Sequence, residues 1–290
     1  ASIGGLIRYV TAKPDLTKQS VTATAEMSQT KHSDDLSYDT DLVVNAPLID
    51  NTLGLRLLLG KTDNAGFIDN PYLLSGAQDD INDDQTKQAR VSLLWQASDN
   101  FSLNSSYHYQ KVNVSDRQAT NKSFTGDNYT ASSRILQPMQ GELQLASIDA
   151  NYEMGWATLT ASVNRYDYQY RDRADQTDYF IYLDGGPDGG YYTAYPDLIG
   201  VAAGNVDVVK DSVELRLASA NDQRLRWLVG AFYSRDDLDS VYRETVPGFG
   251  AFIGEDRPGD DRGDHHPQVD VDIDRGADGR RVRHVVPEGR

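Results

Sequence analysis

Apolar and polar residues alternate along most of this chain in short segments that are separated by turns. From Leu53 to Leu59 a leucine occupies every second position, and Arg56 falls between two of them. Successive side chains of a β-strand point to opposite faces of the sheet. This segment is therefore predicted to be a strand with one apolar face and one face that accepts charge.

The same period of two recurs in other segments between Thr17 and Ser234, which gives about nine strands. Each is close to the length that a tilted strand needs to cross a bilayer. The apolar positions include Leu55, Leu57, Leu93 and Leu215, and the polar positions include Arg56, Arg90, Asn104 and Arg216. We predict that the first set points outward and the second set inward.

The connections between these strands are of two kinds. The short ones are Asp50-Asn51, Ser98-Asp99-Asn100, Met154-Gly155 and residues 220–223, and the long ones are residues 63–85, 116–140 and 171–206. An outer-membrane barrel has short turns at one rim and long loops at the other. A soluble β-sandwich also alternates, but it has no reason to place every long loop at one end. The pattern favours an all-β, antiparallel up-and-down transmembrane β-barrel, with a soluble sandwich as the alternative.

Composition and charge exclude several classes of partner and site. The formal net charge of −16 argues against nucleic acid as a partner, because no basic patch balances the acidic residues. The chain has no cysteine, which excludes disulfides and thiolate metal sites. No apolar run approaches the length of a transmembrane helix.

Aromatic residues gather in the longest predicted loop. They flank the glycine-rich stretch Asp184–Gly190 and comprise Tyr179, Phe180, Tyr182, Tyr191, Tyr192 and Tyr195. Such rings on a loop suit stacking on catecholate siderophores, sugars or macrocycles. They equally suit a cover for the barrel mouth or an anchor to lipid headgroups. We take these six residues as candidate ligand-binding residues.

Other candidate chemistry is weaker. His265 and His266 stand among aspartates and resemble metal ligands, but no predicted scaffold fixes their geometry. The acidic run Asp79–Asp84 lacks the glycine and the spacing of an EF-hand loop, so a solvated loop is expected. No nucleophile, phosphate-loop or zincin motif is present. We therefore expect no enzyme activity, no cofactor and no metal site.

Several segments resemble TonB-dependent outer-membrane receptors. They are Ile3–Pro14, which is similar to the last strand of that family's plug domain, Asn45–Arg56, similar to its first periplasmic hairpin, Gly66–Asn70, similar to the loop that follows, and Val213–Tyr233, similar to a hairpin midway round the barrel. Together they cover about residues 1–254.

The resemblance implies that residues 1–14 are the last strand of a plug and residues 15–254 part of the barrel. It also implies a receptor in the outer membrane of a Gram-negative bacterium, in contact with outer-membrane lipid. Such receptors import bulky, scarce nutrients, most commonly ferric siderophores, with energy from a TonB-type inner-membrane complex that grips a segment before the plug. Oligosaccharides and cobalamin remain possible substrates, and a passive porin-like barrel or a soluble carbohydrate-binding module remains the alternative function.

Two features depart from the family. Its barrel has about twenty-two strands, so an arc of about nine cannot close and is predicted to be an open sheet from a longer protein. Residues 255–290 contain no Phe, Tyr or Trp and are rich in Asp, Arg and Gly. We predict that this tail is disordered or translated out of frame, irregular and packed on nothing.

Overall fold

A computed structural model of the chain describes residues 11–186, 190–220 and 225–254, and the backbone of two short segments in the tail. The strands are β1 (Ser20–Ser28), β2 (Ser37–Ile49), β3 (Leu53–Asn64), β4 (Asp84–Ser98), β5 (Phe101–Val114), β6 (Met139–Glu153), β7 (Ala157–Asp175), β8 (Val201–Ser219), β9 (Leu228–Thr245), β10 (Asp270–Asp272) and β11 (Arg283–Val285). The helices are α1 (Lys122–Thr125), α2 (Thr177–Leu183) and α3 (Phe249–Phe252). Within the described residues, no helix is long and apolar enough to span a membrane.

The strands β1 to β9 form one sheet in which each strand pairs antiparallel with the next in sequence. No pairing among the described residues joins β1 to the far edge, so the sheet is open. The predicted antiparallel arc of about nine strands is therefore confirmed.

The connections lie at the predicted ends of the sheet. Residues 50–52, 99–100, 154–156 and 220–227 connect the strands at one end. At the other end lie residues 29–36, which are as many as residues 220–227, and the three long loops of residues 65–83, 115–138 and 176–200. We call these ends the short-turn rim and the long-loop rim. Asn51 and Gly155 have φ values of 55° and 79°, a left-handed conformation that suits Asn and Gly in tight turns.

The two faces of the sheet carry the side chains that the alternation predicts. Leu55 pairs with Leu93, and the register carries this face through to Leu215. We call it the apolar face and the opposite one the polar face. One row of the polar face runs from strand to strand through Ser20, Asn45, Arg56, Ser92, Ser106, Ser147, Asn164, Ser212 and Ser234. Arg90, Asn104 and Arg216 share its face, so the predicted separation is confirmed.

Nothing in the described residues covers the apolar face. Ile148 and Val163 are each 49% exposed, and Leu215 is 46% exposed. The buried hydrophobic cluster lies instead between two long loops and consists of Ile68, Leu73, Ile81 and Ala131, with Phe67 and Leu136 beside it. A sandwich would bury one face of this sheet against a second sheet. The described fold is therefore a single layer, and the sandwich alternative does not describe it.

The apolar band runs obliquely across the strands. On β3 its last apolar residue toward the long-loop rim is Leu59, because Lys61 follows on the same face. On β8 the band ends at Val213, since Asp211 comes next, and the register places Val213 level with Leu55. The edge thus drops by four residues, from the level of Leu59 to that of Leu55, over the five steps between neighbouring strands from β3 to β8. Strands tilted by about 40° shift by about one residue per strand relative to a membrane plane, which agrees with this slope.

The tail departs from its prediction at six residues. β11 pairs in parallel with β9, where Arg283 lies opposite Val241, and β10 pairs antiparallel with β11. The prediction that residues 255–290 pack on nothing is therefore wrong at these two strands. The physical reason is the free edge of β9, whose unpaired N–H and C=O groups accept an extended segment. The other tail residues, including His265 and His266, lie outside the described part of the chain.

Asp116 is buried where the loop of residues 115–138 begins. It is 1% exposed, and its Oδ1 accepts hydrogen bonds from the backbone N–H groups of Arg117 (2.7 Å) and Gln137 (3.2 Å). Its Oδ2 has no hydrogen-bond partner among the described residues. Burial raises the pKa of Asp116, and the two backbone donors oppose that shift only in part.

The fold predicts that a charge on the apolar face destabilises the protein. Leu57→Arg in the intact protein should cost about 2–4 kcal/mol of folding free energy in a bilayer, because Leu57 lies inside the apolar band. The measurement is a refolding titration from urea into phosphatidylcholine vesicles. The control Asn104→Arg places the same charge on the polar face and should cost much less. Equal losses from the two variants would contradict the assignment of the faces.

The buried carboxyl predicts a pH dependence. Because its pKa is raised above the ordinary 3.8, the folded loop binds the Asp116 proton more tightly than the unfolded loop does. The stability of the loop therefore falls as the pH rises from 3.8 through the raised pKa of the folded state. Asp116→Asn keeps an oxygen acceptor and should flatten the profile. Hydrogen exchange of residues 115–138, corrected for intrinsic rates, tests this between about pH 4 and 8.

Asp127 in the same loop provides the control. Hydrogen bonds from the Tyr129 backbone and the Thr130 hydroxyl lower its pKa from the ordinary 3.8. Its contribution is therefore lost only below that pH, and Asp127→Asn should leave the slope of the profile above it unchanged. Identical profiles for wild type and Asp116→Asn would contradict the role assigned to Asp116.

Candidate functional site

The segment that precedes β1 lies on the polar face. The Asn45 side chain is 1% exposed, accepts a hydrogen bond from the Asp15 N–H (2.8 Å) and donates to the carbonyl groups of Asp15 (3.0 Å) and Lys18 (2.7 Å). Gly54 on β3 leaves room for Pro14 and Leu16, which a Cβ at that position would crowd. The chain therefore enters the sheet from the polar side, close to the short-turn rim.

Aromatic rings follow the short-turn rim. Trp95 and Phe101 lie with ring centroids 6.2 Å apart, and Phe101 and Tyr152 with centroids 6.3 Å apart. Trp156 and Trp227 form a second pair at 6.1 Å. Tyr and Trp concentrate where one end of the ring is apolar and the other is hydrated, as at a membrane interface. The rim of the apolar band therefore has the composition of an interfacial girdle.

The long loops are joined to one another at the opposite rim. The Asp34 N–H donates to the Asp80 carboxylate (2.8 Å), which links the first loop to the second. Asp69 in the second loop exchanges backbone hydrogen bonds with the third, and Arg134 of the third pairs with Asp178 of α2 at 2.9 Å. These contacts form a continuous surface of loops above the sheet.

Five of the six predicted aromatic residues lie in one cluster on this surface. Phe180 lies 5.0 Å from Tyr192 between ring centroids, and Tyr191 lies 4.9 Å from Tyr192. Tyr195 joins the cluster by its contact with Phe249, which lies in the loop after β9. Tyr179 lies 6.2 Å from Phe180 between ring centroids. Tyr182 has no ring contact among the described residues and is 78% exposed.

The cluster includes two residues that the sequence analysis did not select. Phe249 lies 5.1 Å from Tyr191 and 5.2 Å from Tyr192, and Phe252 lies 5.1 Å from Tyr195. Both belong to α3, in the loop that follows β9. Their signal in the sequence is a pair of aromatic residues in a glycine-containing stretch directly after a strand, the same combination that identified the first six.

Local hydrogen bonds set the shape of the longest loop. The Asp184 carboxylate accepts from the Tyr191 N–H, the Thr193 N–H (2.9 Å) and the Thr193 hydroxyl (2.7 Å), and these bonds, those of Thr193 first, lower the pKa of Asp184. Phe180 is 3% exposed and packs where Gly200 has no side chain. Phe180 therefore packs inside the loop, whereas Tyr179, Tyr182 and Tyr191 keep surface that a ligand can contact.

Two cavities at the long-loop rim contain no residue of the aromatic cluster. The larger, about 300 Å³, lies at the long-loop end of the polar face, where Val114, Met139 and Tyr170 stand next to the ion pair Arg117–Asp172 (3.6 Å). The smaller, about 180 Å³, is lined mainly by polar loop residues that include Asn121 and Ser133. The polar face thus ends in a partly apolar cavity lined by one basic side chain, Arg117, and two acidic ones, Asp84 and Asp172.

The structure provides no metal centre in its described part. No group of three His, Asp or Glu side chains there is arranged to hold a metal ion. In the acidic run, Asp80 accepts the Asp34 N–H and Asp84 accepts hydrogen bonds from Asn64. These carboxylates therefore serve the loop structure.

Comparison with solved structures identifies the fold. The chain superposes on the ferric yersiniabactin uptake receptor FyuA of Yersinia pestis with a TM-score of 0.60 and 15% identity over 82% of this chain. It superposes on BauA, the ferric preacinetobactin receptor of Acinetobacter baumannii, with a TM-score of 0.57 and 14% identity over 81% of this chain. In each case it spans 33% of the other chain.

Sequence comparisons add no closer relative: no family model matches the chain, and no curated protein matches it. The likeness is therefore one of fold, and it agrees with the motifs that resemble TonB-dependent outer-membrane receptors. The described part of this chain has the fold of one side of a siderophore-receptor barrel.

Proposed function

We propose that this chain is part of an outer-membrane receptor of a Gram-negative bacterium that imports bulky, scarce nutrients such as ferric siderophores. An inner-membrane complex of the TonB type supplies the energy through a segment that precedes the plug. The observation that carries the proposal is the fold shared with two ferric-siderophore receptors.

The apolar face supports placement of the sheet in a membrane. Its side chains have no covering layer among the described residues, and Val163, Val213 and Leu215 are 49%, 46% and 46% exposed. Burial of apolar area stabilises a protein by about 25 cal/mol per Å², so a face of this extent favours a lipid environment. The oblique band and the aromatic rings at the short-turn rim fit strands that cross a bilayer at a tilt.

The entry of the chain favours a plugged receptor over a passive porin. Residues 14–18 run along the polar face, and Asn45 holds them with three hydrogen bonds. The C-terminal end of a plug that precedes residue 15 would therefore lie inside the barrel, near the row of the polar face that contains Asn45, Arg56 and Ser92. An open pore has no need of such an attachment on its inner wall.

The loop surface is proposed to contact the ligand. Tyr179, Tyr182 and Tyr191 expose ring surface at the long-loop rim. Phe180 packs against Tyr179, and Phe249 packs against Tyr191. A ferric siderophore is bulky and often carries aromatic groups, which suit stacking on such rings. The cavity at Arg117, Asp172 and Tyr170 lies at the long-loop end of the polar face.

The function predicts energy-dependent uptake. Cells that lack their own siderophore receptors and express the intact protein should take up one member of a panel of radiolabelled ferric siderophores. A protonophore should abolish this uptake, because the inner-membrane complex draws on the proton gradient. Uptake that persists with the protonophore would identify a passive pore. Binding of soluble oligosaccharide by detergent-free protein would favour a carbohydrate-binding module instead.

The aromatic cluster predicts a loss of affinity. Tyr182→Ala combined with Tyr191→Ala should weaken binding of the transported siderophore about tenfold, since each stacked ring contributes about 0.5–1.5 kcal/mol. Fluorescence quenching by the ferric complex measures the affinity. Tyr152→Ala is the matched control, because Tyr152 and Tyr191 are each 43% exposed and Tyr152 lies at the opposite rim. A tenfold loss in the control, or none in the double variant, would contradict the assignment.

A further inference from the structure

We propose that three lysines at the border of the apolar band form a docking site for the phosphorylated headgroup of a membrane lipid. They are Lys61 on β3, Lys87 on β4 and Lys111 on β5, and we call them the lysine row. The site requires the membrane placement proposed above, and it adds a specific lipid contact to it.

The register places the three lysines side by side. Lys61 pairs with Lys87, and Lys87 pairs with Lys111. Adjacent strands lie about 4.8 Å apart, and like charges directly opposite each other destabilise a sheet. Farther along the same row the residues are Glu142, Gln169, Asp207 and Asp239. Positive charges therefore lie together at one end of the row and negative charges at the other. An arrangement that only stabilised the sheet would place opposite charges on neighbouring strands.

The lysine row lies directly beyond the apolar band. On the same face of the three strands, two residues nearer the short-turn rim, stand Leu59, Ala89 and Tyr109. Two residues of a strand correspond to about 7 Å, which is the step from acyl chains to headgroups. The strands continue for three more residues, to Asn64, Asp84 and Val114, so all three lysines stand on the hydrogen-bonded sheet and not on loops.

The acidic neighbours neutralise the row only in part. Lys61 pairs with Asp63 at 2.6 Å and Lys111 with Glu142 at 3.7 Å, whereas Lys87 forms no ion pair within the described residues. Three lysines against two carboxylates leave a net charge of +1, on a chain whose net charge is −16. The Lys61 side chain is 47% exposed, and exposed pairs of this kind contribute about 0–1 kcal/mol. An anion can therefore compete for these ammonium groups.

The neighbouring apolar residues select a lipid over free phosphate. A lipid headgroup places its phosphate beside the lysine row while its acyl chains cover Leu59 and Tyr109 below it. Free phosphate gains only the charge contact, which salt screens on an exposed surface. Charge complementarity and the apolar border together therefore point to a phosphorylated lipid as the occupant.

The test uses the intact protein reconstituted in phosphatidylcholine bilayers. Electron spin resonance of spin-labelled phosphatidic acid and phosphatidylcholine measures which lipid the protein holds at its surface. Wild type should prefer phosphatidic acid by about fivefold, the effect of about one lysine near an anionic surface. The triple variant Lys61→Gln, Lys87→Gln and Lys111→Gln should lose this preference, and the corresponding arginine variant should keep it.

The matched control replaces three exposed lysines outside the row, Lys18, Lys31 and Lys122, by glutamine. It changes the net charge equally and should keep the preference. A preference that survives in the lysine-row variant, or that is lost in the control, would overturn the site. Displacement of the lipid by inorganic phosphate at equal concentration would show that the site binds phosphate itself, and it would overturn the assignment of a lipid as the ligand.

Measuring whether the protein inserts into the bilayer distinguishes a failure of the lysine-row proposal from a failure of the membrane placement on which it rests. Protection of the strands from added protease in the vesicles reports the membrane placement for every variant. Protected wild-type protein that shows no preference between the two lipids would overturn the lysine row alone. Protein that never becomes protected would overturn the membrane placement together with the site.

Discussion

Backbone hydrogen bonding is the constraint on which this structure depends. In lipid, each N–H and C=O group must find a partner inside the protein, and a strand finds them on both of its neighbours. β7 and β8 illustrate this, since they pair without a register shift from Ala157 opposite Ser219 to Asp175 opposite Val201. A slip of one residue would move Arg56 to the face of Leu57 and reverse every other side chain of that strand. The register therefore keeps the polar row continuous across all nine strands.

The same constraint explains where the sheet differs from a complete barrel. β1 has β2 on one side and no partner on the other among the described residues, and β9 carries the short β11 on its outer edge. Open edges of this length attract extended segments. The likeness to receptors three times as long fits an arc whose remaining neighbours belong to the rest of a barrel.

The sequence predicted the apolar part of the strands well and their ends at the long-loop rim poorly. From Leu53 to Leu59 the apolar residues recur at every second position, as in a strand. The sequence alone therefore indicates both the strand and which side chains share a face. Along β7 the large apolar side chains switch from one face of the sheet to the other. Tyr166, Tyr168 and Tyr170 lie on the polar face, and charged residues such as Arg165 lie on the opposite face. The sequence pattern predicts a loop from residue 171 to 206, whereas β7 continues to Asp175 and β8 begins at Val201. The ends of these strands were missed because the outer face is no longer apolar there.

The candidate site was predictable in its composition but not in its contacts. Aromatic residues near glycines identified Tyr191 and Tyr192, yet their packing on Phe249 joins loops that are distant in sequence. Phe180 was chosen by the same rule and proves to be buried. Burial within a loop depends on tertiary neighbours such as Gly200, which no local pattern specifies.

The central claim is that one face of this sheet meets lipid and the other meets water. The chain has no cysteine, so single cysteines placed in turn at residues 53–60 can each carry a spin label. Their accessibility to oxygen, which partitions into lipid, and to a water-soluble nickel complex should be measured in a bilayer. The account predicts accessibilities that alternate with a period of two, with oxygen favoured at Leu55 and Leu57 and nickel favoured at Arg56. A flat profile, or one with the opposite phase, would contradict it.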